Sequence, residues 1–318
     1  MIITRTPFRI SFAGGGTDFA DFYRREYGAV VSTAINKYMY ITVNPNFDHT
    51  IRARYSRTEV VNRPDDLSNP IIREALKLTG IEHGLDIVSI ADIPGGTGLG
   101  SSSSFTVGLL NALHAYKSER KSAEELAQEA CRLEIDILGK PIGKQDQYIA
   151  AYGGFRFFKL HPDGTVETSL ISGGREILPG LLLLYLNSTR SADEILGEQK
   201  ANIPGNISQL HHLKLLALYT KGLLARGASP EDLGAMLHWG WSLKRELARG
   251  ITNNTIDEYY HQALNAGACG GKVLGAGGGG FMLLCCPPRK RQAVKEALNL
   301  REIEFNFEGK GSSIIYDG

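Results

Sequence analysis

The sequence predicts an α+β protein built as two domains. In the first half, extended apolar runs are interspersed with helical patterns, and the second half opens with an apolar strand followed by longer helices. A chain of 318 residues corresponds to about two domains. We expect the boundary near residue 170, which gives domains of 1–170 and 171–318.

Each element is predicted from its apolar period. In the first half, strands are expected at 2–13, 29–43, 85–93 and 154–160. Helices are expected there at 71–79, 103–116 and 123–138. The second half is expected to contain strands at 180–186, 281–286 and 312–316, and helices at 207–225, 230–249 and 291–299.

Charge and composition exclude several classes of protein. The formal net charge of +1 gives no global attraction to nucleic acid or to an anionic membrane. The longest apolar run, at 178–186, is too short to span a bilayer, and the first residues lack the apolar segment of a secretory signal. We therefore expect a cytoplasmic protein with no nucleic-acid or membrane partner.

The four cysteines point to packing rather than to chemistry. Cys131, Cys269, Cys285 and Cys286 show no metal-ligand spacing and suggest no disulfide framework.

A glycine- and serine-rich segment at 94–104 lies between a predicted strand and a predicted helix. Its glycines, at 95, 96, 98 and 100, leave the backbone free to wrap around an anion at the positive end of the helix dipole. That arrangement suits a nucleotide triphosphate. A Walker-type loop would end in Gly-Lys-Ser/Thr, but this one has Leu99-Gly100-Ser101 and no lysine. The alternative is a solvent-exposed turn.

A second glycine cluster, Gly275-x-Gly277-x-x-Gly280, matches the dinucleotide-binding pattern. That pattern requires a helix directly after it, whereas residues 281–284 are typical of a strand. A Rossmann oxidoreductase is therefore disfavoured, and a purely structural hairpin stays open.

One carboxylate is out of place on the helix predicted at 123–138. Ser122 and Glu125 form a capping box, and at about 100° per residue Glu134 falls inside the apolar arc. A buried carboxylate there needs a cation or hydrogen-bond donors. A metal ion meets that need, and so does a structural pair with Arg or Lys.

Beyond that helix, Pro141 and the neighbouring glycines predict a rigid polar loop over 139–147. Asp146 is then expected as a loop carboxylate presented toward a cleft. Lys144 is expected to help keep it ionised by Coulomb attraction. The alternatives for Asp146 are a capping group or a solvent-facing group.

The N-terminal strand carries a charge among apolar neighbours. Arg9 lies between Phe8 and Ile10, and Asp18 follows the turn formed by three consecutive glycines. A surface ion pair is the alternative for Arg9, and a helix N-cap is the alternative for Asp18.

Three segments, in order, resemble the motifs of the GHMP kinases, the family of galactokinase, homoserine kinase and mevalonate kinase. They are Thr6-Pro7-Phe8-Arg9 through Gly14-Gly15-Gly16-Thr17-Asp18, then 94–102, then Lys272-Val273-Leu274-Gly275 through Gly280-Phe281. The resemblance implies an N-terminal ribosomal-protein-S5-like α/β domain and a C-terminal ferredoxin-like α+β domain.

The resemblance also implies a role for each site residue. ATP phosphates would lie on Pro94, Gly95, Gly96, Thr97, Gly98, Leu99, Gly100, Ser101, Ser102 and Ser103. Mg²⁺ would be held by Ser102 and Glu134, with Ser101 as the adjacent alternative. Asp146 would be the catalytic base, and Arg9 would steady it and the transferring phosphoryl group. The substrate would contact Gly15, Gly16, Thr17, Asp18, Gly277 and Gly278.

Within the family, the triple glycine before Thr17-Asp18 is most similar to bacterial kinases that phosphorylate the anomeric hydroxyl of D-glycero-D-manno-heptose 7-phosphate. The product, heptose 1,7-bisphosphate, leads toward nucleotide-activated heptose for surface glycans such as capsule. Arg5, Lys37, Arg190 and Lys272 are candidates to bind the substrate's own phosphate. Another GHMP small-molecule kinase, an inactive sugar- or nucleotide-binding regulator, and a homo-oligomer stay open.

Overall fold

The computed structural model describes residues 1–188 and 192–318 and contains two β-sheets with helices packed on them. The strands are β1 (Ile2–Ala13), β2 (Gly28–Pro45), β3 (Ile51–Arg54), β4 (Thr58–Val61), β5 (Leu85–Ala91), β6 (Phe155–Leu160), β7 (Val166–Leu170), β8 (Leu181–Tyr185), β9 (Gly270–Val273), β10 (Phe281–Cys285), β11 (Arg301–Glu302) and β12 (Ser313–Asp317). The α-helices are α1 (Ala20–Tyr23), α2 (Pro70–Thr79), α3 (Ser101–Tyr116), α4 (Ala123–Cys131), α5 (Gln145–Tyr152), α6 (Ala192–Ala201), α7 (Ile207–Ala225), α8 (Pro230–Lys244), α9 (Asn254–Ala266) and α10 (Arg291–Leu298).

The long strand β2 organises the larger sheet, whose strands run in the order β12-β1-β2-β5-β3-β4. β1 pairs with β2 along almost its whole length. The opposite edge of β2 is shared, because its first half pairs with β6 and its second half with β5. Most pairs are antiparallel, but β3 and β5 are parallel.

Helix α3 lies across this sheet and contacts both β1 and β2. Nearly all of its side chains are buried, which explains why its sequence is apolar around the whole helix rather than along one stripe. Gly100 precedes it with a φ of 74° in the left-handed region, so the chain turns sharply from the glycine loop into the helix.

The smaller sheet is antiparallel in the order β11-β8-β10-β9. Successive side chains of a strand point to opposite faces, and β8 uses both faces. Leu181 and Leu183 join the core beneath the larger sheet, whereas Leu182 and Leu184 join a second core under the C-terminal helices. The small sheet therefore joins the two cores.

The last strand returns to the first sheet. Residues of β12 pair antiparallel with β1, for example Tyr316 with Ile3, and Phe307 forms a bridge with Ile35. The expected boundary near residue 170 stays a prediction, and it assigns this returning segment to the second domain although the segment lies on the larger sheet.

The observed elements differ from the predicted ones at two helix ends, and the strands β3, β4, β7, β9 and β11 were not predicted. The helix expected at 123–138 is α-helical only to Cys131, and Arg132–Ile137 form a π-helix in which Leu138 N–H donates to Leu133 O at 3.0 Å. The helix expected to reach 249 ends at Lys244. Helices α5, α6 and α9 were not predicted. None of the helices in the described ranges has the length and apolar character needed to cross a bilayer.

Of the three segments that resemble family motifs, the second (94–102) and the third (272–281) pack backbone against backbone. A Cβ on Gly98 would lie 2.6 Å from Leu274 O, and a Cβ on Gly275 would lie 2.5 Å from Gly98 Cα. Both glycines also have positive φ. The third segment is therefore a brace for the loop 94–100, and only glycine fits at this crossing.

We predict that Gly275→Ala lowers the free energy of unfolding by ~2–4 kcal/mol, because alanine is strained in the left-handed region and its Cβ displaces Gly98. Urea unfolding followed by circular dichroism measures the change. Gly197→Ala is the matched control, since Gly197 lies inside α6 with no atom within 4 Å of a new Cβ. Equal stability of Gly275→Ala and the natural protein would contradict the brace.

Candidate active site

A cavity of about 210 Å³ lies where the two glycine-rich segments, β1 and α8 meet. The larger sheet's domain contributes Arg9, Asp18 and Asp146 to its walls. The smaller sheet's domain contributes Lys244, Lys272 and the loop at Gly275–Gly277. Acidic and basic side chains thus line the same cavity.

The strongest polar contact in this cleft joins Arg9 to Asp146. Arg9 Nε donates to Asp146 Oδ1 at 2.7 Å and Nη2 donates to Oδ2 at 2.6 Å. This bidentate pairing fixes the orientation of the carboxylate. The Arg9 side chain is 6% exposed and that of Asp146 is 23% exposed, so the carboxylate stays open to the cleft.

Arg9 also holds the glycine loop. Its Nη1 donates to Gly98 O at 2.5 Å, and its backbone N–H donates to Leu99 O at 3.0 Å. One residue therefore ties the carboxylate to the loop 94–100.

The setting of Asp146 differs from the prediction of a loop. Asp146 is the second residue of α5, and the preceding loop ends at Lys144. Tertiary packing stabilises this helix, because residues 147–151 are all buried and α5 packs against α3 and α4.

The expectation for Lys144 is wrong. Its ammonium donates to Gly164 O at 2.7 Å and lies 5.4 Å from the Tyr23 ring centroid. Lys144 therefore makes its contacts outside the cleft. The Asp146 carboxylate is paired with Arg9 instead.

Asp18 forms a buried carboxylate on the same wall. Oδ1 accepts from Gly16 N–H at 2.9 Å and Oδ2 accepts from Gln145 N–H at 3.3 Å. Burial raises the pKa of Asp18 above its ordinary value, and the nearby Asp146 charge adds to that rise. The N-cap alternative is not observed, because Phe19 precedes α1 and no side chain caps that helix.

The predicted substrate contacts divide into two groups. Gly15, Gly16 and Gly277 line the cavity. Thr17 does not, because its hydroxyl donates to Gly14 O and Ala29 O and accepts from Ala29 N–H. Gly278 also lies elsewhere: its N–H donates to Ile251 O, and it lines a separate depression beside α9. Thr17 and Gly278 therefore shape the backbone instead of facing the cleft.

The predicted phosphate loop divides in the same way. The cavity is lined by Gly96, Gly98, Gly100, Ser101, Ser102 and Ser103. Pro94, Gly95, Thr97 and Leu99 do not line it. Thr97 Oγ1 donates to Pro94 O at 2.9 Å, and Leu99 is fully buried, so these residues set the course of the loop.

Glu134 is fully buried and accepts hydrogen bonds from four side chains. Oε1 accepts from Ser102 Oγ at 2.8 Å and Lys140 Nζ at 3.0 Å. Oε2 accepts from Ser103 Oγ at 2.8 Å and Gln147 Nε2 at 2.7 Å. The π-helical turn places this carboxylate against the start of α3, where the sequence predicted a polar partner.

Both alternatives for Glu134 meet at one point. Lys140 Nζ also donates to Ser102 Oγ at 2.8 Å, so an ammonium bridges the two predicted magnesium ligands. A hydroxyl and a carboxylate oxygen beside a phosphate loop form a donor set that suits Mg²⁺, which takes few protein ligands and completes its shell with phosphates and water. The residues therefore fit the metal, and Lys140 marks the point as a cation position.

Sequence reasoning missed several side chains of this site, among them Gln145, Lys140 and Lys244. Gln145 lines the cavity and accepts from Ser11 Oγ at 2.8 Å, but a glutamine in a polar loop gives no signal. Lys140 also gave none. Lys244 stands in the last turn of α8, where a lysine is ordinary because it complements the helix dipole.

The four candidates for a substrate phosphate are now separated by position. Lys272 lines the cavity. Arg5 instead lies over the Tyr38 ring, at 4.6 Å from its centroid, and neither it nor Lys37 lines the cavity. Arg190 lies outside the described residues.

Comparison with known proteins agrees with this geometry. The model of the GHMP kinases N terminal domain matches residues 69–154, and the model of the GHMP kinases C terminal matches residues 221–302. Together they match more than half of the chain.

Three known proteins illustrate the similarity. The chain is 28% identical to a D-glycero-alpha-D-manno-heptose 7-phosphate kinase of Campylobacter jejuni, over 98% of this chain and 97% of that protein. It is 27% identical to a mevalonate kinase of Methanothermobacter thermautotrophicus, over 78% of this chain and 80% of that protein. A crystal structure of a D-glycero-D-manno-heptose 1-phosphate kinase from Bacteroides thetaiotaomicron superposes with a TM-score of 0.81, at 24% identity and with both chains fully covered, which shows a shared fold.

The two domain matches, the shared fold and the order of the three glycine-rich segments confirm the resemblance seen in the sequence: the chain belongs to the GHMP kinase family.

Proposed function

We propose that this protein is an ATP-dependent kinase that phosphorylates the anomeric hydroxyl of D-glycero-D-manno-heptose 7-phosphate, giving heptose 1,7-bisphosphate and ADP. The observation that carries the proposal is the Arg9–Asp146 pair held against the loop 94–100. The pair fixes a partly open carboxylate beside the glycine loop in which we infer that the ATP phosphates bind. The similarity to the C. jejuni kinase supports the choice of acceptor.

The loop and the start of α3 suit the donor. Backbone at Gly96, Gly98 and Gly100 lines the cavity without side-chain bulk, and the N-terminus of a buried 16-residue helix follows. A helix N-terminus favours negative charge. We infer that the ATP phosphates lie here.

Asp146 is placed to act as the general base. Its carboxylate would accept the proton of the acceptor hydroxyl as that oxygen bonds to the γ-phosphorus and the bond to ADP breaks. Arg9 would hold the carboxylate in orientation and, from beside Gly98, would offset negative charge on the transferring group.

Ser102 and Glu134 would hold Mg²⁺. When bound, the ion neutralises phosphate charge. Lys140, which now bridges these two side chains, would then donate to a phosphate oxygen or to Glu134 alone.

The acceptor side of the cleft is polar. Asp18 lies on its wall, and Gly15 and Gly16 present backbone close to it. A carboxylate accepts hydrogen bonds from sugar hydroxyls, and this feature favours a polyol over an isoprenoid substrate. The names of the two heptose kinases place the existing phosphate on different carbons, so the position of the new phosphate must be determined directly.

We predict that Asp146→Asn lowers kcat by roughly 10²–10⁴-fold while ATP binding is kept, since asparagine preserves the shape but cannot take the proton. Stopped-assay kinetics at saturating substrates and titration with a fluorescent ATP analogue measure the two properties. Asp163→Asn, at a surface turn, is the control. Near-normal turnover of Asp146→Asn would remove Asp146 from the role of base.

We predict that Ser102→Ala raises the Mg²⁺ concentration for half-maximal activity by about tenfold or more, because one of two protein ligands is lost. Ser103→Ala is a matched control, since Ser103 donates to the other oxygen of Glu134 at the same 2.8 Å. It should cost about 1 kcal/mol of stability and leave the Mg²⁺ dependence unchanged. The same Mg²⁺ shift in both variants would mean that the hydroxyls only position Glu134.

We predict that heptose 7-phosphate is used with a kcat/KM roughly 30- to 1000-fold above that of unphosphorylated heptose, mannose, galactose and fucose, which corresponds to about 2–4 kcal/mol from a charged anchor. ADP release measures the rates, and phosphorus NMR of the product locates the new phosphate. A free sugar that equals heptose 7-phosphate would contradict the proposed acceptor, and phosphorylation of another hydroxyl would contradict the anomeric site.

A further inference from the structure

Two buried lysines face the cleft without an acidic partner. The exposure of Lys244 is 8% and that of Lys272 is 7%, and both line the cavity. Lys244 extends from the end of α8 and Lys272 from β9. Among the described residues, no carboxylate oxygen lies within 4.0 Å of either ammonium.

Protein atoms satisfy only part of each ammonium. Lys244 Nζ donates to Gly275 O, and Lys272 Nζ donates to Phe12 O at 3.3 Å. An ammonium has three donors, so each lysine has two donors without an acceptor among the described residues.

The charges also repel one another. The pKa of Lys244 is lowered to about 8, mainly by burial and secondly by the nearby Arg9 charge. Burial lowers the pKa of Lys272 well below its ordinary value, with Lys244 and Arg9 adding to the effect. Buried cations that lack an acidic partner are costly, and an anionic ligand would relieve that cost.

We propose that Lys244 and Lys272 together bind a terminal, dianionic phosphate group carried by a substrate of the proposed kinase reaction. Two phosphates have this chemistry: the acceptor's own phosphate, which is not transferred, and the γ-phosphate of ATP. The inference rests on the proposed function for the identity of the substrates.

The position of the pair favours the acceptor's phosphate. The donor phosphates already have the glycine loop, the start of α3 and Arg9 beside them. Lys272 reaches Phe12 on β1, two residues before the glycines that lead to Asp18, on the acceptor wall. The Asp18 charge also raises the pKa of Lys244, which opposes the effect of burial.

Single Lys244→Met and Lys272→Met variants test the site, because methionine keeps most of the length and removes the charge. The primary measurement is the ratio of kcat/KM for heptose 7-phosphate to kcat/KM for unphosphorylated heptose. If the lysines bind the acceptor's phosphate, each variant lowers this ratio by about tenfold or more, with the free sugar little affected.

If the lysines instead bind the γ-phosphate, both acceptors lose rate equally. A non-hydrolysable ATP analogue then binds about tenfold more weakly while ADP binds as before. Either pattern supports a dianion site and identifies its source. An unchanged ratio together with unchanged binding of both nucleotides overturns the proposal.

Lys214→Met is the matched control. Lys214 is equally buried but pairs with Glu26 outside the cleft, so its loss should lower stability without changing the ratio or nucleotide binding. If a methionine variant fails to fold, two other substitutions at the same lysine replace it: Lys244→Arg or Lys272→Arg keeps the charge, and Lys244→Gln or Lys272→Gln removes it. The site is supported if the Arg variant retains the ratio of the two kcat/KM values and the folded Gln variant loses it.

Binding of inorganic phosphate, measured by isothermal titration calorimetry without any sugar, separates this inference from the proposed acceptor. If the natural protein turns over no heptose 7-phosphate, the proposed function fails. Weaker phosphate binding in the Lys variants than in Lys214→Met would still support the site. Equal phosphate binding in all of them would overturn it.

Discussion

The Arg9 side chain is the contact on which the geometry of the cleft depends. A guanidinium has donors on one rigid plane, and Arg9 uses them to hold both oxygens of Asp146 and the carbonyl of Gly98. Its backbone N–H holds Leu99 as well. Asp146, the strand β1 and the loop 94–100 are therefore held in position by one residue. A lysine at this position could supply the charge but not the planar bidentate contact.

A second constraint is the buried charge at Glu134. Four donors surround this carboxylate, three of them neutral, and Lys140 supplies the only cation among these four contacts. The Lys140 side chain is 20% exposed whereas that of Glu134 is fully buried, so the ammonium is the member of the group that can change its contacts at the lowest cost. A divalent cation could take its place beside Ser102 without rebuilding the core.

The sequence predicted part of this site because the signals for that part are local. Glycine spacing, a charge among apolar residues at Arg9, and a carboxylate inside the apolar arc at Glu134 are all visible in one segment at a time. Most elements with a clear apolar period also form within a few residues of their predicted ends. The end of the helix at 123–138 was missed because a π-helical turn does not follow a period of 3.6 residues.

The remaining features depend on contacts between distant segments. Thr17 was predicted to contact the substrate. Only the fold shows that its hydroxyl is hydrogen-bonded to the backbone of Ala29. Lys244 gives no signal in the sequence, and only the fold shows that it lines the cleft. The return of β12 to the larger sheet could not be predicted either, because its pairing partner, β1, lies at the other end of the chain.

Residues of both domains line the cleft, and the glycine contact fixes the position of one domain against the other. The backbones of Gly98 and Gly275 are in contact. The loop 94–100 of the first domain therefore packs against the loop that follows Lys272 in the second domain. Helix α7 packs on β1 and β2 and also on α8, the helix that carries Lys244. Any ligand held by the two lysines is therefore positioned relative to Asp146 through close-packed backbone rather than through mobile side chains. Since reactions of bound groups are sensitive to misplacement of about 1 Å, we expect the close glycine crossing to matter for the proposed reaction as well as for stability.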